Sequence, residues 1–384
     1  MNTARVAALA RKEWREILRD RLYLLLAFAL PLLLMLVFGH GMSQEVEHVG
    51  LAVLDEDRSA SSREYLDHFT RTHHFRAIGA LRSADEIDTV LASGRARAVV
   101  RVAPGFAREL HRGGTAQVQF VIDGTFTAPA RTLRGYLEAV HAAAGAQTRA
   151  GALARMAGRP AERTLPQVQP LKLQVRYLYN EEVRSIWTIA PSLLMLILLM
   201  VPPLLSAVSV VREKETGAIY NLRCSTLTRA EFMAGKLAPN FAASCLNVLV
   251  LWGVAVLYFG VPFKGSAAVL LAGSALYVLG TTALGLLISL LVATQQAAII
   301  IATITASIVA IQFSGLFAPV ESMQGVNQWI ARAMPASHYR EILIGSFLKR
   351  SGFGVLWADF AALVAFAAVV LVACHALYRK RTAA

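Results

Sequence analysis

Six apolar runs constrain this chain more than anything else in it: residues 22–38, 186–211, 237–259, 266–292, 297–317 and 355–378. Coiled as α-helix, residues 186–211 alone would reach about 39 Å, against roughly 30 Å for a bilayer's hydrocarbon core. With no water to satisfy a backbone in hydrocarbon, each run reads as a spanning helix. The other residues do not dilute that signal, since 56% of the 384 residues are hydrophobic. An ordinary soluble protein is thereby excluded. Pro31 predicts a kink in the first span, and Pro202 and Pro203 a kink or break in the second, because each ring removes a helix hydrogen bond. The fourth run is rich in Gly, Ala, Ser and Thr, which favours close helix packing.

Between the first two runs, residues 42–184 change character. Charges of both signs spread through them and apolar runs shrink to strand length. Strands are expected at 49–54, 98–102, 118–122 and 171–179. Helices are expected at 62–70, at 83–93 (Ser83 as N-cap, Glu86 in the capping box, Gly94 beyond the end) and at 127–156. Together they predict one compact mixed α/β domain of about 140 residues. Asp55 and Asp57 are spaced like the start of a calcium loop, but the remaining ligands are missing and a turn is the better reading. His73 and His74 are adjacent, a poor spacing for chelating one metal, so no metal site is expected. The three cysteines, Cys224, Cys245 and Cys374, lie outside this domain and give it no disulfide framework.

The net charge of +13 sits mainly on arginines beside the apolar runs, and no nucleic-acid motif accompanies it. Basic residues at 5–21, 212–236 and 379–381 fall on one side under six spans, which the positive-inside rule makes the cytoplasm. Residues 1–20 contain a basic amphipathic helix with Val6, Leu9, Trp14 and Ile17 on its apolar side, where Glu13 is the exception. Such a helix is expected to lie in the lipid headgroup layer. The first span (21–41) reads as an uncleaved anchor, because no A-x-A site follows it.

The polar stretch 212–236, REKETGAIYNLRCSTLTRAEFMAGK, separates spans two and three. Thr228 and Glu231 fit a capping box that starts a helix running into span three. Gly217 loosens the preceding helix, and Cys224-Ser225-Thr226 is the expected break. The charge pattern alone allows either a docking element or a solvated basic loop.

REKETG, LTRAEF and Gly235-Lys236 followed by Pro239 resemble the coupling region of ABC-2 type permeases, the membrane subunits of one class of ATP-binding-cassette exporters. The stretches VLDEDRSASSREYL, GRARAVVRVAPGF and VQFVIDGT resemble that family's external domain, and FSGLFAPVESM to Lys349 its element before the last span. Many members have Thr-Pro where this chain has Ser225-Thr226, so the break is less sharply enforced here. The resemblance implies a mainly α membrane protein of six transmembrane helices plus an external mixed α/β domain, with residues 185–378 carrying spans two to six and 379–384 a basic cytoplasmic tail. It implies docking of a separate nucleotide-binding ATPase through Arg212, Glu213, Lys214, Glu215, Gly217, Tyr220, Leu222, Thr228 and Glu231. Glu213 and Glu215 would pair with basic ATPase groups, and Tyr220 and Leu222 would fill an apolar cleft. It implies an outer gate formed by the element 318–354, with Pro319, Trp329, Pro335, His338 and Tyr339, together with Phe313 just before it; an interfacial aromatic belt is the alternative for the same residues. Further implied partners are a second permease copy or a related permease, a periplasmic adaptor and membrane lipids, in a bacterial inner membrane. No phosphate-cradling G-x-x-x-x-G-K-[ST] occurs, so ATP and Mg are expected on the partner, and this chain is expected to carry no cofactor and no catalysis. An ion-driven secondary transporter is the competing reading. The spans two to five expected here contain no Asp, Glu, His or Lys, which disfavours it. A membrane-anchored binding protein would need fewer spans.

Overall fold

The structure is a computed structural model that describes all residues except 1, 42–47, 73, 113, 126, 158–177, 183, 220–226, 317–319 and 379–384. His73, most of the strand expected at 171–179, the break at Cys224–Thr226 together with Tyr220 and Leu222, Pro319 and the basic tail lie outside the described residues. The chain divides into two units, residues 1–43 with 177–384, and residues 44–176.

The first unit begins with α1 (Thr3–Arg19) and the apolar helix α2 (Arg21–Gly41). In α2 the turn Leu25–Ala29 is wound as π-helix just before Pro31. Proline at 31 frees the carbonyl of Ala27, four residues earlier. That carbonyl accepts a 3.0 Å hydrogen bond from Asn247 Nδ2. The proline is accommodated by a widened turn and a neighbouring side chain.

The second unit contains β1 (Val49–Asp55), α3 (Ala60–Thr70), β2 (Phe75–Ala80), α4 (Asp85–Ala92), β3 (Ala98–Val102), α5 (Phe106–His111), β4 (Val118–Ile122) and α6 (Thr127–Ala157). Its sheet has the order β2-β1-β3-β4, with β1 parallel to β2 and β3, and β3 antiparallel to β4. β1 and β3 are central and buried on both faces. Leu51 and Val100 pack with Tyr65, Phe69 and Leu137 on one side, while Ala52, Leu54 and Val99 pack with Ile87 and Val90 on the other. Continuous apolar runs are what such strands require. Two expectations change here. Helix α4 starts at Asp85, so Ser83 is not its cap, and the Glu86 carboxylate instead accepts the Arg82 N–H. Asp57 is more than a turn residue: its carboxylate accepts N–H bonds from Gly105 (2.8 Å) and Ala107 (3.1 Å), fixing the start of α5.

The first unit resumes with α7 (Ile186–Glu215), α8 (Arg229–Gly253, continued by a π turn to Tyr258), α9 (Ala267–Leu291), α10 (Gln295–Ile308), α11 (Val326–Ala333), α12 (Pro335–Ile344) and α13 (Phe353–Leu377). Among the described residues, α2, α7, α8, α9 and α13 are long and apolar enough to cross a membrane. The remaining apolar run forms the 14-residue α10 and a π turn, Val309–Phe313. The core runs through Met35, Leu194, Leu198, Tyr277, Tyr339 and Phe347.

Helix α7 stands at the centre of this packing and continues unbroken through Pro191, Pro202 and Pro203, so the expected break is absent. Burial among neighbouring helices allows a helix to keep its path past prolines. At Gly285 the α9 backbone comes so near α7 that a Cβ would lie 2.2 Å from the Pro203 carbonyl oxygen. Only glycine fits there.

Candidate functional site

The tetrad Arg212-Glu213-Lys214-Glu215 forms the last turn of α7, where successive side chains point about 100° apart. Each finds a different partner. Arg212 pairs with Asp20, between α1 and α2. Glu213 is buried and pairs with Lys12 of α1 and, at 2.5 Å, with Lys236 of α8. Lys214 donates to the Ser289 carbonyl and, at 3.0 Å, to that of Val292, at the end of α9. Glu215 accepts from the Gln295 backbone N–H at 2.7 Å and from its side-chain amide, at the start of α10. Thr216 and Gly217 (φ +77°) then end the helix. The sequence reading gave Glu213 and Glu215 to basic groups on a partner. The structure corrects that for Glu213, which is enclosed by its own chain's lysines, and gives Glu215 an internal partner as well.

Lys236 is the centre of a buried cluster. Its ammonium lies 2.6 Å from Glu13 Oε1 as well as beside Glu213, and its side chain is 1% exposed. Two carboxylates and two ammonium groups, Glu13, Glu213, Lys12 and Lys236, balance in charge, which a buried site demands. Burial pushes the Glu13 carboxyl up, the adjacent Glu213 adds to this, and Lys236 counteracts both. Glu13, Glu16 and Glu213 bring carboxylate oxygens within 4.8 Å of one another, a spacing suited to a cation; the cations beside them are the Lys12 and Lys236 ammonium groups.

The second flank of the segment begins as expected. Thr228 caps α8, with Glu231 N–H to Thr228 Oγ1 at 3.3 Å and Thr228 N–H to Glu231 Oε2 at 2.9 Å. The Glu231 carboxylate also accepts the Asn2 N–H at 2.6 Å, tying the start of α1 to the start of α8. Leu9, Glu13 and Ile17, at i, i+4 and i+8, are the buried face of α1, and Leu9 lies against Gly235. That face packs on α8, so these residues meet protein, while Trp14 and Leu18 on the same helix stay exposed. The signal was present in the sequence. A charged residue on the apolar side of α1 and a lysine inside the first turns of a spanning helix each required a partner. Between α1 and α2, Asp20 accepts the Leu22 and Tyr23 N–H groups; the Tyr23 bond, with Arg212, holds its carboxyl below the usual range.

Among the described residues, those expected at an outer gate sit in different surroundings. Phe313 ends a π turn and is half-buried, while Trp329 on α11 is 74% exposed. Pro335 opens α12. Tyr339, one turn on, is fully buried, stacks on Tyr277 with centroids 4.1 Å apart, and shares a 2.8 Å hydrogen bond with Ser274. His338 bridges Asp359 Oδ1 (Nδ1, 2.8 Å) and the Arg332 carbonyl (Nε2, 2.7 Å). Both partners accept, so both bonds form only when the ring carries two protons. The Asp359 bond raises the His338 pKa, with the Arg332 carbonyl and Glu341 acting the same way. A raised folded pKa means stabilisation that is complete below about pH 6.5 and fades as pH rises through the folded value. Thermal melting measured from about pH 5.5 to 9 should therefore fall for the wild type above about pH 6.5. Asp359→Asn should flatten that decline; an equally steep profile in the variant would remove the role of this pair.

The model of the ABC-2 family transporter protein matches residues 21–374. The chain is similar to two Escherichia coli (strain K12) proteins described as "Probable multidrug ABC transporter permease": YbhS, 29% identical over 98% of this chain and 97% of that one, and YbhR, 27% identical over 98% and 99%. It is also similar to the "Inner membrane transport permease YhhJ" of the same organism, 24% identical over 86% and 85%. With the family model matched over residues 21–374, most of the chain, and five helices among the described residues long and apolar enough to cross a membrane, this chain belongs to the ABC-2 transporter family as a multi-pass permease of an ABC transporter.

Proposed function

We propose that this subunit forms the translocation path of an ATP-driven exporter and takes its motion from a separate nucleotide-binding ATPase docked on the segment that follows α7. In this reading six helices cross a bacterial inner membrane, both termini and the docking segment face the cytoplasm, and residues 42–184 lie outside, where an adaptor reaches them. Two permeases, alike or related, enclose the path, and the cargo is a drug or another amphipathic compound. The similarity to YbhS and YbhR, described as probable multidrug permeases, supports that cargo class. ATP and Mg belong to the partner.

One observation carries the coupling. The last turn of α7 is bonded to α1, α8, α9 and α10 through four consecutive residues. A push on the segment between α7 and α8 would pass through this one turn to four helices. Helix α1 shares in this joint through Lys12 and Glu13.

The test separates docking from folding. Replacing Tyr220 and Leu222 together by Ala should reduce co-purification of the co-expressed ATPase by about tenfold or more, since an interfacial aromatic anchor is often worth about 2 kcal/mol. Membrane insertion and melting temperature should stay at wild-type values. Glu213→Ala should instead lower the melting temperature of the subunit itself. Full ATPase recovery with the double variant would move docking elsewhere.

A further inference from the structure

A groove of about 670 Å³ lies between α8, α9 and α13, three of the helices long and apolar enough to cross a membrane. It follows α8 from Ala230 to Phe241, with Leu279 of α9 and Leu371 of α13 among its walls. Met233 and Leu237 are buried beneath it, while Ala238, Val372 and Ala376 are exposed along its rim. His375 apart, every side chain that lines it is apolar. On a spanning helix such an opening faces hydrocarbon, so its occupant is apolar along most of its length.

The length of the groove narrows the choice. Positions 230 to 241 are eleven steps of α8, about 16 Å of helix at 1.5 Å per residue. One leaflet supplies about 15 Å, half of a hydrocarbon core of roughly 30 Å. The groove thus suits a chain that enters at one membrane surface and stops near the midplane, as an acyl chain does. A spanning helix from a second copy would need about twice that length.

The end at the membrane surface sets the head. There α8 begins and α13 ends, and Phe232 stacks on Tyr378 with centroids 4.7 Å apart. His375 lines this end, and Arg229, one residue before Ala230, is exposed and makes no ion pair among the described residues. The sequence after α13 continues with Arg379, Lys380 and Arg381. No carboxylate lines the groove. The neighbouring acid, Glu231, is buried and already accepts the Asn2 and Thr228 N–H groups. A negatively charged head answers this balance; a zwitterionic one brings a cation of its own.

We propose that this groove holds one acyl chain of an anionic phospholipid, with the phosphate at Arg229 and His375 and the chain along Met233, Leu237 and Phe241. The lipid is a resident wedge between α8 and α13 and is distinct from cargo. Its binding needs neither an ATPase nor transport, so this inference and the function proposed above fail in separate experiments.

The purified full-length subunit in a non-ionic detergent is titrated with palmitoyl-oleoyl-phosphatidylglycerol, and bound lipid is counted by native mass spectrometry. One saturable site is expected, with phosphatidylcholine of the same chains bound about fivefold more weakly. Arg229→Gln, at an exposed position, should erase most of that preference. Val372→Trp, at a rim position 68% exposed where folding is not at risk, should weaken phosphatidylglycerol about tenfold. Glycerol 3-phosphate, the head without its chains, should not compete. Equal affinity for the two lipids, or wild-type binding in both variants, would overturn the proposal. So would a changed oligomeric state in Val372→Trp with lipid binding intact, which would make the groove an interface between copies.

Discussion

Lys236→Met should destabilise the subunit by about 3–5 kcal/mol, the range found when one partner of a buried ion pair is removed. The ammonium lies 2.6 Å from Glu13 and 2.5 Å from Glu213, almost out of contact with solvent. Without it, two buried carboxylates share the half-exposed Lys12. The loss arises from uncompensated charge, not from missing volume, since Met is close in size. Combining Lys236→Met with Glu13→Leu should therefore recover most of the stability, because Glu213 and Lys12 remain as a pair and apolar replacement of a buried ion pair is often neutral. Thermal unfolding of the two single variants and the double variant measures the coupling. A Lys236→Met subunit that melts with the wild type would show that the cluster carries no structural weight.

Tyr339→Ala should cost a similar amount, about 3–5 kcal/mol, as large-to-small changes of buried aromatics do. The side chain loses its stack on Tyr277 and its bond to Ser274. Tyr339→Phe keeps the stack and loses the hydrogen bond, so about 1 kcal/mol is expected for it. Trp329→Ala removes an exposed ring and should leave stability within about 0.5 kcal/mol. Expression yield and melting temperature for the three variants test this ordering. If Tyr339→Ala melts with the wild type while transport fails, Tyr339 acts in gating and its packing is secondary.

The spanning helices were legible because hydrocarbon-length apolar runs have one structural solution. The Thr228–Glu231 capping box was legible because it is local, closing within four residues. Strands β1 and β3 were legible as strands because their apolar runs are continuous, as strands buried on both faces require; their central place in the sheet was not. β2 was not, since FRAIGA at the sheet edge is exposed over most of its length and shows no alternation. The role of the tetrad was visible in type and hidden in partner. The charge pattern left Arg212–Glu215 open between a docking element and a solvated loop, the family resemblance pointed to docking, and the internal partners stayed hidden, since Glu13 and Lys236 are 223 positions apart in sequence. No periodicity links residues at that separation. What the sequence offered was two anomalies, an acid on an apolar face and a base at the entry of a span, each meaningful only once paired with the other.

The turn that ends α7 also limits how this region can vary in length. A single residue inserted before Arg212 would rotate all four side chains by about 100° and shift them along the helix by about 1.5 Å. Asp20, Lys236, the end of α9 and the start of α10 would lose their counterparts together, whereas a substitution removes one joint and leaves three. Residue type at these four positions is therefore open to gradual exchange, while their count is not. Insertions and deletions between the second and third long helices should be confined to positions beyond Gly217, where the helix has already ended.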